Sequence, residues 1–140
     1  MKHSDSFELS YEFFPPRSDI GKEKLADTRK QLESCTPEYF SVTFGAGGST
    51  RDKTLEAVLD IQKNSPVDAA PHITCVGATN AEILELLEIY RENDIRRLVV
   101  LRGDLPSGMI SVGESRFANE LVELIREHFQ DHFKIAVAAY

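Results

Sequence analysis

Apolar runs that end on a polar or reactive residue, each followed by a helix-like stretch, recur along this chain with a period of about 30 residues, the length of a βα unit. The runs are residues 9–14 with Glu12 inside, 39–44 with Thr43, 69–76 with His72, and 98–101 leading into Arg102-Gly103-Asp104. A fifth run, 135–139, reaches Tyr140. Repeated strand–helix units build a parallel sheet, and in such sheets the chemistry gathers at the C-terminal strand ends. The chain therefore presents a row of candidate site residues, one or two per strand.

The punctuation between the runs supports the alternation. Pro15-Pro16 ends the first strand, because proline cannot donate to a ladder. Residues 21–34 read as a helix through Leu25, Thr28 and Leu32, and Pro37 separates it from the second strand. A Gly-rich turn at 45–50 precedes a helix at about 51–62, with Leu55, Val58, Leu59 and Gln62 on one side. Ser65-Pro66 breaks that helix before the third strand. Thr79-Asn80-Ala81-Glu82 has the form of a capping box, opening a helix to Glu92 with Ile83, Leu84, Leu87 and Tyr90 in a stripe. Residues 97–101 are nearly unbroken in apolar character, as expected of a strand buried on both faces. A connection at 103–115 leads to a helix at 116–129 and a fifth strand at 133–139.

Five consecutive parallel strands fit either an open doubly-wound sheet or part of an eight-stranded barrel. A doubly-wound dinucleotide fold carries GxGxxG after its first strand, whereas here Pro15-Pro16-Arg17 follows. The candidate residues also fall on successive strands rather than at one switch point. The expected fold is α/β, of the (β/α)8 TIM-barrel type. A full barrel takes about 250 residues, so residues 1–140 are expected to form a single segment. That segment holds the first four βα units and a fifth strand, incomplete at the C-terminus.

Composition narrows the partners. With 41% apolar and 28% charged residues the chain is an ordinary soluble globular sequence. A formal net charge of −7 argues against a nucleic-acid surface. Cys35 and Cys75 lie far apart with no CxxC pair, which suggests a reduced compartment and neither a zinc site nor a redox motif. The first six residues lack the apolar core of a signal peptide. No run approaches the roughly 20 apolar residues of a membrane helix. The expectation is a cytoplasmic protein without nucleic-acid or membrane partners.

Each candidate residue has a plain alternative. A carboxylate between Tyr11 and Phe13 could point into a barrel, where desolvation would favour the protonated form that a general acid needs. Equally, Glu12 could face solvent while its aromatic neighbours face the core. The turn at 45–50 could cradle an anion at a helix start, or be a permissive turn with a Ser or Thr cap. It is not a P-loop, for want of the Gly-Lys-Ser/Thr ending. His72 lacks neighbours at metal-ligand spacing, which points away from metal and toward a packed histidine. His128 and His132 read as surface residues. Arg102 and Asp104 could meet a ligand where a buried strand emerges, or merely close the strand end as an ion pair.

Taken together, four segments resemble the methylenetetrahydrofolate reductase family. They are Tyr11-Glu12-Phe13-Phe14-Pro15-Pro16-Arg17, Ser41-Val42-Thr43-Phe44-Gly45-Ala46-Gly47-Gly48, Ala70-Pro71-His72-Ile73-Thr74-Cys75 and Leu101-Arg102-Gly103-Asp104-Leu105-Pro106. Ala136-Val137-Ala138-Ala139-Tyr140 adds a weaker match. The resemblance implies a barrel that holds FAD. NADH or NADPH reduces the flavin, which then passes a hydride to 5,10-methylenetetrahydrofolate, giving 5-methyltetrahydrofolate for one-carbon metabolism and methionine supply. It implies that Glu12 is the general acid that protonates the folate ring nitrogen, and that Asp104 lies between flavin and pterin as a second catalytic residue. Phe44, Ala46, His72, Arg102, Gly103, Asp104, Ala118 and Tyr140 match flavin-binding positions, and Thr43 a nicotinamide contact. No metal is implied, and the full-length form is expected to be a homo-oligomer.

The resemblance covers only the first half of the family's barrel. Residues that the later strands supply for flavin phosphates and for folate have no counterpart here. Two competing readings follow. One is a truncated, catalytically inactive half-barrel that acts only by association with another chain. The other is a sugar-phosphate aldolase or lyase on the same barrel, which requires a Schiff-base lysine or a metal cluster at a strand end; neither is visible.

Overall fold

A computed structural model of the chain describes residues 7–44, 48–103 and 117–138. The elements alternate as β1 (Ser10–Phe13), α1 (Asp19–Glu33), β2 (Tyr39–Val42), α2 (Gly48–Asn64), β3 (Asp68–Thr74), α3 (Asn80–Glu92), β4 (Arg97–Leu101), α4 (Ala118–Phe129) and β5 (Lys134–Val137). All pairings are parallel, and the sheet order is β1-β2-β3-β4-β5. Each crossover advances by one strand in the same direction. Crossovers of one hand then keep the helices on one face, as in consecutive strands of a βα barrel and unlike a doubly-wound sheet, whose order reverses.

The register separates the two faces. Phe40, Val42, Ile73, Cys75, Leu98 and Val100 alternate onto the helix-covered face and join Val58 and Ile61 of α2, Ile83 and Leu87 of α3, and Leu121 and Ile125 of α4 in one core. Tyr11 and Phe13 pack on the same side, their rings 6.3 and 5.2 Å from Phe40. The opposite, open face carries Glu12 opposite Ser41, Ser41 opposite Ala70, and His72 opposite Val99. Small side chains at Ser41 and Ala70 keep the floor of this face low.

Local chemistry sets the helix ends. The Thr79 hydroxyl accepts from the Glu82 N–H at 3.2 Å, and the Glu82 carboxylate accepts the Thr79 N–H at 2.8 Å, completing the expected box. The Ser18 hydroxyl accepts from Gly21 N–H at 3.1 Å, so α1 opens at Asp19, two residues before the expected start. α2 opens at Gly48, inside what the sequence presents as a turn.

The buried faces of two helices differ from the expected stripes. α2 buries Thr54, Ala57, Val58 and Ile61 rather than Leu55, Leu59 and Gln62. The Gln62 amide instead bridges elements, donating to Asp94 C=O and accepting from Ala69 N–H, both at 3.1 Å. On α1 the fully buried residue is Arg29, because its guanidinium meets Glu33 and donates to Asn64 C=O at 3.2 Å. β4 is likewise buried on one face only: Leu98 and Val100 enter the core, while Val99 and Leu101 line the open face half-buried.

Candidate functional site

The C-terminal strand ends of the open face hold the candidate residues. Glu12 alternates away from Tyr11 and Phe13, so its carboxylate lies on the open face with 58% of the side chain exposed. Both sequence alternatives are met in part: the carboxylate is away from the helix-side core, on the face a barrel would enclose, and it is wet. Two strands away, His72 is only 5% exposed, and its Nε2 stands 3.4 Å from Glu12 Oε2. That is ion-pair distance without hydrogen-bond geometry, and Nε2 has no hydrogen-bond partner. Burial pushes the imidazole below its ordinary value, and the Glu12 charge only partly offsets this.

Thr43 and the end of β4 frame the pair. Thr43 N–H donates to Phe13 C=O at 2.9 Å, and Thr43 C=O accepts from the Thr54 hydroxyl at 2.9 Å. Both contacts fix the backbone where β2 runs out. Phe44, one residue on, turns its ring to the helix-side core. At the end of β4, Gly103 has φ +81°, a conformation that favours glycine, and a Cβ there would stand 3.0 Å from Thr74 Cβ and 3.1 Å from Val76 Cγ2. The Cys75 thiol donates to Arg102 C=O at 3.3 Å, holding the same corner. The Arg102 side chain is exposed, with its guanidinium 5.6 Å from the centre of the Phe117 ring.

The structure thus brings Glu12 and His72 together and sets Arg102 and Gly103 against the end of β3. Ala118 opens α4 and packs on the core. Ala46, Asp104 and Tyr140 lie outside the described residues, as do the other residues of the turn at 45–47. His128 and His132 are tied to backbone carbonyls, Leu124 at 3.0 Å and Ile95 at 3.1 Å. Among the described residues no group of three or more His, Cys, Asp or Glu is placed to hold a metal ion. No helix among them is long and apolar enough to cross a membrane.

Two residues of this corner escaped sequence reasoning. Thr54 is a fully buried polar residue that supports Thr43, and a threonine one turn before Val58 on the stripe that includes Ala57 and Ile61 was the available signal. Phe117, half exposed against Arg102, had no signal, since a contact across residues 103–117 leaves no local pattern.

A family model described as methylenetetrahydrofolate reductase matches residues 1–140. Over 132 residues the chain is 40% identical to the 5,10-methylenetetrahydrofolate reductase of Escherichia coli, an alignment that covers 94% of the chain and 43% of that protein. The Salmonella typhimurium protein of the same name gives the same identity and coverage. The Arabidopsis thaliana protein named methylenetetrahydrofolate reductase (NADH) 1 is 39% identical over 136 residues, 94% of the chain and 23% of that protein. The chain therefore spans less than half the length of these relatives.

Proposed function

The chain belongs to the methylenetetrahydrofolate reductase family, and on that premise we propose that the protein carrying it reduces 5,10-methylenetetrahydrofolate to 5-methyltetrahydrofolate. The reductant is NADH, which appears in the Arabidopsis relative's name, or NADPH, acting through bound FAD. A cytoplasmic, self-associated enzyme is part of the same proposal. The observation that carries it is the meeting of an accessible carboxylate, Glu12, with a buried imidazole, His72, on the open face beside the strand ends.

The residues present fit a flavin. Small side chains at Ser41 and Ala70 leave room on the open face, and the exposed Arg102 guanidinium offers a fork of donors. His72, Arg102 and Gly103 would hold the flavin, with Ala46, Asp104, Ala118 and Tyr140 in the same role and Phe44 through its backbone. Thr43 would touch the nicotinamide. Bound FAD would carry a hydride from nicotinamide to folate. Glu12 would deliver a proton to the folate ring nitrogen, so that the five-membered ring opens and its carbon can accept that hydride. An acid with open access to solvent can be reprotonated between turnovers. Asp104 would act beside it as a carboxylate near flavin and pterin.

The test separates the two half-reactions in the full-length protein under anaerobic rapid mixing. NAD(P)H should bleach the flavin absorbance, and methylenetetrahydrofolate should restore it. Glu12→Gln should slow the second step by about 10²–10⁴-fold, the usual share of a general acid, and leave the first within a factor of about two. Equal damage to both steps would refute the acid role, and a folded full-length protein without flavin would refute the reductase reading. One observation favours the inactive half-barrel instead: among the described residues β1 and β5 are unpaired sheet edges, with Phe14 and Val137 exposed. On that reading the chain purifies without flavin and shows neither half-reaction.

A further inference from the structure

Among the described buried polar side chains of the open face, Ser41, His72 and Thr74, His72 is the one with an unpartnered buried atom. Its ring is enclosed and its Nε2 lies 3.4 Å from the Glu12 carboxylate, close enough for an ion pair, yet this nitrogen makes no hydrogen bond. Buried polar atoms in native proteins almost always have partners, so this nitrogen is suited to a state in which Glu12 offers it something different. An ionised carboxylate has only acceptors, whereas a protonated one has an O–H to donate. A neutral imidazole has one acceptor nitrogen, and burial keeps this ring neutral near pH 7. A cationic ring at the same place would do the reverse, holding Glu12 as a carboxylate and disabling it as an acid.

We propose that His72 is the positioning residue for Glu12: its Nε2 accepts the O–H of the protonated carboxyl and so keeps on Glu12 the proton destined for the substrate. The inference rests on the proposed function for the identity of that substrate. In the step itself the O–H bond of Glu12 breaks and a bond from that proton to the folate ring nitrogen forms. The adjacent C–N bond opens with its electron pair left on nitrogen. Glu12 becomes a carboxylate, nothing is oxidised or reduced, and His72 neither gains nor loses a proton. Solvent then returns a proton to the exposed carboxyl.

No other described charge competes at the pair. β2 faces it with Ser41 and Thr43, β3 adds Ala70 and Thr74, and β4 adds Val99 and Leu101. The charged groups of this face lie toward the N-terminal strand ends, where Arg97 is 3.1 Å from Glu38 and 3.6 Å from Asp68, with Lys134 beside it. Arg102, at the other end, faces Phe117.

Two measurements on the full-length protein test this. In protein labelled with 15N at histidine, the His72 ring should show at pH 7 the neutral tautomer with its proton on Nδ1 and Nε2 free to accept. A cationic ring, or a proton on Nε2, would overturn the proposal whatever the enzyme's substrate is. In rapid mixing, His72→Phe should slow flavin reoxidation by methylenetetrahydrofolate about tenfold, the worth of one hydrogen bond, and move the alkaline limb of its pH profile to lower pH. His72→Gln, whose amide oxygen can accept the same O–H, should restore most of the rate and the limb. Rates are taken per bound flavin, because His72 also lines the proposed flavin site, and the slowing should fall on reoxidation by methylenetetrahydrofolate far more than on reduction by NAD(P)H. Equal slowing of both steps per bound flavin, or an unmoved limb, would show that His72 does not act through Glu12. A failed Glu12→Gln test together with the expected tautomer would instead locate the error in the reaction assigned above.

Discussion

The two ends of this sheet treat their polar side chains in opposite ways. At the N-terminal end they are paired. Arg97 lies between Glu38 and Asp68 with its guanidinium over the Tyr39 ring, 5.3 Å from the centroid. Arg29 binds Glu33 and the carbonyl of Asn64, and the Ser65 hydroxyl donates to the same Glu33 carboxylate at 2.8 Å. Among the described residues at the C-terminal end the polar groups are not tied by hydrogen bonds: His72 Nε2 has no hydrogen bond although Glu12 lies 3.4 Å away, Glu12 is mostly wet, and Arg102 meets an aromatic ring. A paired charge is locked and contributes to the fold, whereas an unpaired one remains available to a ligand. The division follows the rule for βα barrels, in which the N-terminal face serves stability and the C-terminal face serves chemistry.

The largest effect that bears on this division should come from Arg29. It is 2% exposed, and its Nε has no partner, so the side chain depends on its Nη1 contacts. Arg29→Met keeps the aliphatic length and leaves Glu33 without its cation. We expect a loss of about 2–3 kcal/mol in urea unfolding, somewhat below the range for breaking a fully buried pair because Glu33 keeps Ser65 and some solvent. Both flavin half-reactions of the refolded protein should be unchanged. If one of them collapsed while stability held, the N-terminal end would have a role in chemistry and the division would fail.

Gly103 tests the other end at a smaller magnitude. A methyl group there meets Thr74 and Val76 at a backbone angle of +81°. Gly103→Ala should lose about 2 kcal/mol from strain and crowding together, and should displace Arg102, which shares that corner. The expected readouts are a lower unfolding midpoint and weaker flavin retention on gel filtration. A variant with wild-type stability and full flavin content would show that the corner is looser than its contacts imply.

The sequence made the alternation of strands and helices legible because proline, glycine and capping residues punctuate it locally: Pro15-Pro16, Ser65-Pro66 and the box at Thr79 all act within a few residues. It also made Glu12 and His72 legible as site candidates, through their chemistry and their place near strand ends. What it could not show is that they meet. Their contact spans 60 positions and depends on the sheet register, which brings Glu12 level with Ser41 and Ala70 so that His72 lies one step further along the same face. The buried stripe of α2 was misread for a related reason. Leu55 and Leu59 are more apolar than Thr54 and Ala57, but the helix turns Thr54, Ala57, Val58 and Ile61 to the sheet, and a threonine there can satisfy the backbone of Thr43. On α1, a buried arginine cannot be foreseen from a stripe of leucines, because what buries it is a carbonyl 35 positions away.

The smallest expected effect separates the two ends by their response to acid. The contacts at the N-terminal end are ion pairs, which salt screens where they are exposed. His72 titrates. In the unfolded chain its ring takes up a proton near the ordinary value of 6.5, while in the folded chain burial pushes that event to lower pH. Between the two, the unfolded state binds more protons, so folding stability declines as pH falls below about 6.5. The decline ends once the folded ring is protonated as well. Urea midpoints measured stepwise downward from pH 7.5 should show this loss, and His72→Gln should flatten it without altering the response to salt. Were the slope the same in the variant, acid sensitivity would arise elsewhere, and the ring of His72 would not be the neutral acceptor on which the division at the C-terminal end depends.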